Sequence, residues 1–353
     1  MLTDVTQMQI QKMLATTPPA FSETDAIDIA SRHFGIEAQA RLLVSERDQN
    51  FFLDTANGLR YTLKITNHAE QLQVIDFQNC ALLHIAEKDP SLPLPRAIPT
   101  RDGKFHSGVE VNGNTHFVRV LSWVEGMVLD DSKPGIELAN KLGRFLARLG
   151  LALKDFEHPG SNPPSLWDMK RAAGLRDLLV HVDEAELRQL IGHTLDHFVT
   201  TVKPRLDSLR TQVIHNDMNL GNVLVDKTNP GEITGIIDFG DLVKSPLIID
   251  LAVAASYQLS EGDDPLAGAL PLIAGYHAVR PLQQEEMSLL TDLIRTRLIT
   301  SLLINNWRVK LFPENREYLM TSHESAKNYL IKLGKLDHGV ALERINTALQ
   351  DGS

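Results

Sequence analysis

Two short polar segments carry side chains whose types and spacing fit phosphoryl transfer assisted by a divalent cation. In HNDMNLGN, Asp217 and Asn222 stand five positions apart, between the apolar runs TQVI and VLVD. In GIIDFGD, Asp238 follows a further apolar run. Mg²⁺ prefers oxygen ligands, and an aspartate can accept or orient the proton of an attacking hydroxyl. We therefore predict that Asp217 acts on an acceptor hydroxyl, whereas Asn222 and Asp238 bind Mg²⁺.

Each segment also has an ordinary interpretation as a surface turn, because Asn, Asp and Gly are common in turns. Their combination, each at the end of a short apolar strand, favours a catalytic loop followed by a metal-binding loop. The third part of such a site would be a lysine on an earlier strand that contacts nucleotide phosphates. Lys64 in LRYTLKI is the candidate, because it faces opposite to Leu63 and Ile65 on an alternating strand. Its carboxylate partner would lie on the following helix, as Asp76 or Glu70.

The elements that must position these residues divide the chain into a β-rich part, residues 1–121, and a mainly helical part, residues 122–353. In the first part, FSETDAIDIASRHFG predicts a helix that Ser22 caps and Gly35 ends. Short apolar segments follow, with hairpin turns at TANG and NGN. EGMVLDDSKPG is a polar connector, and helical spacing dominates after it. We therefore expect an α+β protein of two lobes.

Composition limits the classes of function. The chain has 353 residues, 43% of them hydrophobic and 23% charged, and a formal net charge of −10. This charge argues against sequence-independent nucleic-acid binding, which needs a clustered basic surface. No apolar run is long enough for a membrane span, and the first residues lack the pattern of a signal peptide. The single cysteine, Cys80, excludes an intrachain disulfide, which suits a reducing compartment. Together these features lead us to expect a cytoplasmic protein with no nucleic-acid or membrane partner.

The order of these motifs resembles the aminoglycoside phosphotransferase and choline kinase family, which has a protein-kinase-like fold. SERDQNFFLDT, YTLKI and GIIDFGDLVKSPLIIDLAVAASY resemble its hydroxylysine kinase-like branch most closely. The resemblance implies that Asp217 is the catalytic base and that Asn222 and Asp238 hold Mg²⁺. It also implies that Asp250 steadies the catalytic loop from behind, although Asp250 could equally cap the helix LAVAASYQL.

The resemblance further implies that ATP or GTP binds beside Lys64. The kinase Gly-rich loop is absent, since VSERDQNFFL contains no glycine. Backbone N–H groups of residues 47–50, with Gln49 and Asn50 among them, could still cap phosphates. The hinge that would contact the base is VLSWVEG, with Ser122 and Trp123. The family's helix glutamate is matched by Asp76, which is one methylene shorter, so Glu70 could substitute for it in the ion pair.

The acceptor is to be sought in the helical part. In LIRTRLITSLLINNWRVKLF, Arg297, Ser301 and Asn305 recur every four residues on one helix face. This stripe is either a solvated face or a substrate wall on which Arg297 binds a carboxylate through two parallel hydrogen bonds. The family phosphorylates small, usually amine-bearing alcohols. We therefore predict a hydroxylysine-like amino alcohol or hydroxy amino acid as substrate, with homoserine as the nearest rival.

Other substrates and classes stay open in the sequence. They are an aminoglycoside- or choline-type acceptor, a catalytically silent kinase-like binding module, and a scaffold or regulatory protein that uses the helical lobe. Retention of Lys64, Asp217, Asn222 and Asp238 together argues against the last two. The chain could act as a monomer or a homodimer.

Overall fold

The computed structural model describes residues 16, 18–45, 47–129 and 134–351. The predicted connector therefore lies partly outside the described residues, as do Glu46 of the glycine-free loop and the first residues used in the signal-peptide argument. An antiparallel sheet of six strands builds the N-terminal lobe. Its strands are β1 (Ala38–Leu43), β2 (Gln49–Thr55), β3 (Arg60–Ile65), β4 (Ala97–Ile98), β5 (Ser107–Val111) and β6 (Asn114–Ser122).

The strand order is β1-β2-β3-β6, with β4 and β5 both paired to β6. Alternate residues of β2, β3 and β6 are fully buried on one face, against helix α1 (Glu23–Ile29), and form a small core. The other face presents Asn50, Lys64 and Arg119, which are direct partners in adjacent strands. The strand alternation of LRYTLKI therefore separates Lys64 from the small core, as predicted.

Local signals act where the sequence places them. Ser22 caps α1 through a capping box with Asp25, and a π-helical turn extends the helix to Phe34. Gly35 then ends it with φ 71°, a left-handed conformation that glycine adopts without steric cost. The β5–β6 turn uses Asn112 and Gly113, both with positive φ, as two-residue hairpins require. The predictions for this helix and this hairpin are confirmed.

The remaining helix of the N-terminal part, α2 (Leu72–Lys88), packs differently from α1. Phe77, Leu82 and Ile85 on its buried face belong to the large core that continues through the C-terminal lobe. Asp76 bonds to His158 of that lobe, and Gln78 donates to the carbonyl of Gly240 at 3.0 Å. Helix α2 thus lies between the sheet and the C-terminal lobe.

Five short strands and a set of helices form the C-terminal lobe. Strands β9 (Val223–Val225), β10 (Ile233–Ile236) and β7 (Met127–Val128) make one small sheet, and β8 (Thr211–Ile214) pairs with β11 (Val243–Pro246) in another. The helices are α3 (Ile136–Ala152), α4 (Ala185–His197), α5 (Lys203–Leu206), α6 (Leu247–Ser256), α7 (Leu270–Val279), α8 (Gln284–Leu311), α9 (Arg316–Leu319), α10 (His323–Lys335) and α11 (His338–Asp351). A 3₁₀ segment, Met169–His181, precedes α4, and a π-helical turn, Phe198–Val202, follows it.

Helices α3 and α7 cross with their backbones in contact. A Cβ atom added to Gly143 would lie 1.9 Å from the carbonyl oxygen of Leu272, and one added to Gly275 would lie 2.1 Å from that of Asn140. Both positions therefore require glycine. Within the described part of the chain, no helix combines the length and apolarity that crossing a bilayer demands. The architecture matches the expected α+β class, with a β-rich first lobe and a mainly helical second lobe.

Candidate active site

The loop that follows β8 is held from behind by a buried carboxylate on α6. Asp250 accepts hydrogen bonds from the backbone N–H of Asn216, at 2.8 Å, and of His215, at 3.3 Å. Asn216 has φ 66°, in the left-handed region that asparagine tolerates better than most residues. Burial raises the pKa of Asp250 to about 6 in spite of these two hydrogen bonds. The contact is the one that a loop-supporting residue would make.

Both oxygens of Asp217 are engaged. Its Oδ2 accepts from the side-chain amides of Asn219, at 3.0 Å, and Asn222, at 2.9 Å. Its Oδ1 lies 3.2 Å from Nη2 of Arg297, 80 residues further along the chain. Burial raises the pKa of Asp217 to about 6, although Arg297 opposes the shift, and the charge of Asp238 adds to it. The amide of Asn222 uses its nitrogen on Asp217, so its carbonyl oxygen is the atom that could face a cation.

Asp238 meets Lys64 across the cleft between the lobes. The Lys64 Nζ lies 3.7 Å from Asp238 Oδ1, and the Asp238 side chain is 51% exposed. The Lys64 ammonium holds the pKa of Asp238 below its ordinary value, because a nearby positive charge favours the ionised carboxylate. Asp238 also has φ 60°, a conformation that costs energy in a residue other than glycine and is often found at functional sites.

The expected ion pair of Lys64 with a carboxylate of α2 is not formed. Asp76 bonds instead to His158 Nε2 at 3.2 Å, and Glu70 bonds to Arg47 at 2.8 Å. Glu70 precedes the first turn of α2, and the helix turns Asp76 towards the C-terminal lobe. In this structure the assignment of either residue as the partner of Lys64 is therefore wrong, and Asp238 occupies that place.

Asp76, Cys80 and His158 form a cluster whose candidate ligand atoms lie within 4.8 Å of one another. The backbone N–H of Gly160 donates to His158 Nδ1 at 2.9 Å, so the neutral imidazole carries its proton on Nε2 and donates it to Asp76. A metal at Nε2 would need that proton on Nδ1, where the Gly160 N–H points. The cluster is therefore a hydrogen-bonded link between α2 and the C-terminal lobe.

The sheet face that carries Lys64 has a second, buried cation that sequence reasoning missed. Arg119 is the direct strand partner of Lys64 and is 3% exposed. Its Nη1 donates to Asn79 of α2 at 3.3 Å, whereas its Nε and the Oδ1 of Asn50 are buried without a partner among the described residues. The signal was a charge inside the apolar strand FVRVLS, where a solvated residue would be out of place.

The other residues predicted to bind nucleotide are tied into the N-terminal lobe. The Gln49 side chain makes two hydrogen bonds of 2.8 Å to the backbone of Phe21, so its side chain is used in the fold. Ser122 exchanges hydrogen bonds with the backbone of Arg96, and the Trp123 N–H donates to the carbonyl of Arg60 at 3.0 Å. The contribution of these positions to nucleotide binding stays a prediction.

Arg297 lies beside the loop that carries Asp217. Its Nη2 donates to Tyr257 Oη at 3.0 Å as well as to Asp217, and its guanidinium lies 4.7 Å from the centre of the Trp167 ring. Its Nε and Nη1 are buried and have no partner in the described chain. Ser301 and Asn305, one and two turns further along α8, are half-buried, and no hydrogen bond joins either of them to this group of described residues.

A second missed residue is Asp241, the last residue of the IIDFGD segment. Burial, together with the neighbouring carboxylates of Asp217 and Asp238, raises the pKa of Asp241 to about 7. The three carboxyl groups thus repel one another when they are ionised, and a bound cation would relieve that repulsion. The residues present fit Mg²⁺: Asp238 and the Asn222 carbonyl offer oxygen ligands of the hard type that this ion prefers.

Known proteins place this arrangement in a family. Residues 40–282 match the model of the phosphotransferase enzyme family. The chain is 28% identical to hydroxylysine kinase of Danio rerio over 331 residues, which cover 90% of this chain and 93% of that protein. It is 27% identical to homoserine kinase of Neisseria meningitidis serogroup B over 295 residues, 81% of this chain and 88% of that protein.

Solved structures agree on the fold. An amicoumacin kinase in complex with AMP-PNP, Ca²⁺ and Ami superimposes with a TM-score of 0.69 and 14% identity, covering 90% of this chain and 97% of that one. A microcompartment-associated aminopropanol kinase gives a TM-score of 0.61 and 18% identity, covering 94% of this chain and 100% of that one. The fold is therefore that of the protein-kinase-like small-molecule kinases. With more than half of its length matched by the family model, this chain belongs to the phosphotransferase enzyme family and is a small-molecule kinase that uses a nucleotide as phosphoryl donor and a hydroxyl as acceptor.

Proposed function

We propose that this kinase transfers the γ-phosphoryl group of ATP or GTP to the hydroxyl of a free hydroxy amino acid, hydroxylysine or a close analogue. The proposal rests on the environment of Arg297. Its guanidinium is buried beside the candidate base, and two of its nitrogens have no hydrogen-bond partner among the described residues. A buried guanidinium with unused N–H groups favours an anionic ligand, and a carboxylate matches its planar geometry. The similarity to hydroxylysine kinases over most of both chains supports the same class of acceptor.

On the donor side, Lys64 and Arg119 would bind the phosphate oxygens, while Asn222 and Asp238 would hold Mg²⁺. When bound, the magnesium ion would neutralise charge on the transferred phosphoryl group. Asp238 would then pair with the metal instead of Lys64, and the Lys64 ammonium would be free to bind a phosphate oxygen. The backbone N–H groups of residues 47–50 would cap the phosphates, and the segment at Ser122 and Trp123 would contact the base.

On the acceptor side, Asp217 would accept a hydrogen bond from the substrate hydroxyl and thereby aim its oxygen at the γ-phosphorus. The new oxygen–phosphorus bond forms as the bond from the γ-phosphorus to the β-phosphate oxygen breaks. The hydroxyl proton passes to Asp217, and the nucleoside diphosphate leaves. Asp250 would keep the loop in register during this step, because it binds two of its N–H groups.

Arg297 would hold the carboxylate of the acceptor, and Ser301 and Asn305 would extend this wall along α8. Asp241 is a further carboxyl group of the site, and the ammonium group that every amino acid carries would favour its ionised form. An acceptor that carries both a carboxylate and an ammonium group would thus find Arg297 for the first group and Asp241 for the second. Homoserine, the second candidate, has the same two groups and is supported by the similarity to homoserine kinases.

The test is an acceptor panel in which each amino acid is paired with its decarboxylated analogue. Hydroxylysine is compared with 1,5-diaminopentan-2-ol and homoserine with 3-amino-1-propanol, with ATP and GTP as donors and Mg²⁺ present. We expect the amino acids to have the higher kcat/KM. Preference for the amines would favour an aminopropanol-, aminoglycoside- or choline-type substrate, and no turnover with any acceptor of the panel would refute the hydroxy amino acid as the acceptor class.

A further inference from the structure

Arg297 pairs with the candidate base through one nitrogen, and its two other nitrogens have no hydrogen-bond partner among the described residues. Its Nη2 bonds to Asp217 Oδ1, while the other oxygen of Asp217 already accepts from Asn219 and Asn222. The Arg297 side chain is 4% exposed and that of Asp217 is 19% exposed. Water therefore screens this ion pair little, and the guanidinium restrains the very oxygen that an acceptor hydroxyl would approach.

The rest of the guanidinium has unused donors. Nε and Nη1 are buried and without a partner in the described chain, whereas Tyr257 and the Trp167 ring hold the group by one edge and one face. Leaving buried N–H groups unpaired costs free energy, so an anion that reached them would be bound well. It would also compete with Asp217 for the same positive charge, because one guanidinium cannot fully neutralise two carboxylates.

We propose that the carboxylate of the acceptor, by pairing with Arg297, draws the guanidinium away from Asp217 and so releases the base only when an acceptor is bound. This inference rests on the proposed function and adds a control to it. Without an acceptor, Asp217 stays paired, and a water molecule in the cleft finds a poor base. The arrangement would limit wasteful hydrolysis of the nucleotide, a reaction in which the proton of water passes to Asp217 and inorganic phosphate is formed.

The experiment measures release of inorganic phosphate from Mg-nucleotide with ligands that cannot be phosphorylated. L-Lysine is hydroxylysine without its hydroxyl, and 1,5-diaminopentane additionally lacks the carboxylate. We expect L-lysine to stimulate hydrolysis by about tenfold or more, a part of the roughly 10²–10⁴-fold that a working general base contributes. We expect 1,5-diaminopentane to have little effect. L-2-Aminobutyrate and propylamine form the equivalent pair for homoserine. If an amino acid of this kind competes with the acceptor and yet leaves hydrolysis at the basal rate, the proposal is overturned.

A variant tests the same idea without any acceptor. Arg297→Gln removes the charge but keeps a polar side chain of similar reach, so basal hydrolysis should rise by about tenfold and L-lysine should add nothing more. Arg295→Gln is the matched control, because Arg295 lies on the same helix and pairs with Asp292 at 3.6 Å, away from Asp217. The control should keep the low basal rate and the stimulation by L-lysine.

The outcomes separate this inference from the proposed function. If a folded Arg297→Gln protein hydrolyses nucleotide no faster than the unaltered enzyme, the release of the base is refuted even when the panel identifies an amino-acid acceptor. If the panel finds no such acceptor but the variant shows the raised basal rate, restraint of Asp217 by Arg297 stands and only the choice of ligand fails. A thermal unfolding curve like that of the unaltered protein shows that the variant is folded.

Discussion

Replacing Arg297 by alanine should harm an acceptor that carries a carboxylate far more than the same acceptor without it. The structure sets the scale of the effect, because the Arg297 side chain is only 4% exposed and a hydrogen bond to it would form almost out of water. A hydrogen bond to a charged group contributes about 1.5–3 kcal/mol, which corresponds to roughly ten- to a hundredfold in kcat/KM. Lysine at this position should not restore the loss, since an ammonium group lacks the planar fork that binds two oxygens at once.

The assay is a comparison of ratios. The kcat/KM of hydroxylysine is divided by that of 1,5-diaminopentan-2-ol for the unaltered enzyme, for Arg297→Ala and for Arg297→Lys. Any loss of folded protein lowers both values equally and cancels in the ratio. Arg295→Ala, two residues earlier on α8, should leave the ratio unchanged. If Arg297→Ala lowers both values by the same factor, Arg297 serves the fold or the base alone, and the amino-acid acceptor loses its main support.

Five further changes probe other parts of the site. Asp217→Asn should lower kcat by about 10²-fold or more in steady-state turnover of the acceptor, because the hydroxyl loses its proton acceptor. Asp238→Ala should abolish Mg²⁺-dependent nucleotide binding in calorimetry, because it removes the carboxylate that would hold the metal. Lys64→Ala should raise the KM for nucleotide and lower kcat, because it removes a positive charge that would face the phosphates. Arg119→Gln should raise the KM for nucleotide by about fivefold and leave the KM for the acceptor unchanged, since it removes a buried cation beside Lys64 alone. Asp250 has a pKa in the folded protein above its ordinary value, so its ionisation lowers stability as the pH rises. Urea denaturation should therefore show that the free energy of unfolding falls between about pH 4 and about pH 7. The fall should be about 2 kcal/mol larger for the unaltered protein than for Asp250→Asn.

Features that depend on neighbouring residues could be predicted from the sequence. Ser22 and Gly35 bound their helix because capping uses a few adjacent backbone groups, and Lys64 faces away from the small core because strands alternate. The loops that carry Asp217 and Asp238 also follow short strands, as predicted. The family and the two-lobed fold followed from the order of such motifs.

Features that depend on how elements pack could not be predicted. The phase of α2 against the sheet decides which side chain meets Lys64, and nothing in the IDFQN segment fixes that phase. Arg119 of β6 becomes a candidate phosphate ligand only because it is buried next to Lys64 of β3, and this pairing of strands is not visible in the sequence. The contact of Arg297 with Asp217 joins residues 80 positions apart, so helix spacing could indicate a stripe on α8 but not what the stripe touches.

The packing of α2 has a consequence for dissecting the protein. A cut between residues 121 and 122, at the last residue of β6, would separate Phe77, Leu82 and Ile85 from the core they share with the C-terminal lobe. A fragment of residues 122–353 would then expose an apolar surface to water, and contiguous apolar surface of this kind promotes aggregation. We therefore expect that the two lobes of this kinase do not fold independently of each other. Amide hydrogens of α2 should exchange with solvent as slowly as those of the C-terminal helices, and not at the rate of those in the N-terminal sheet.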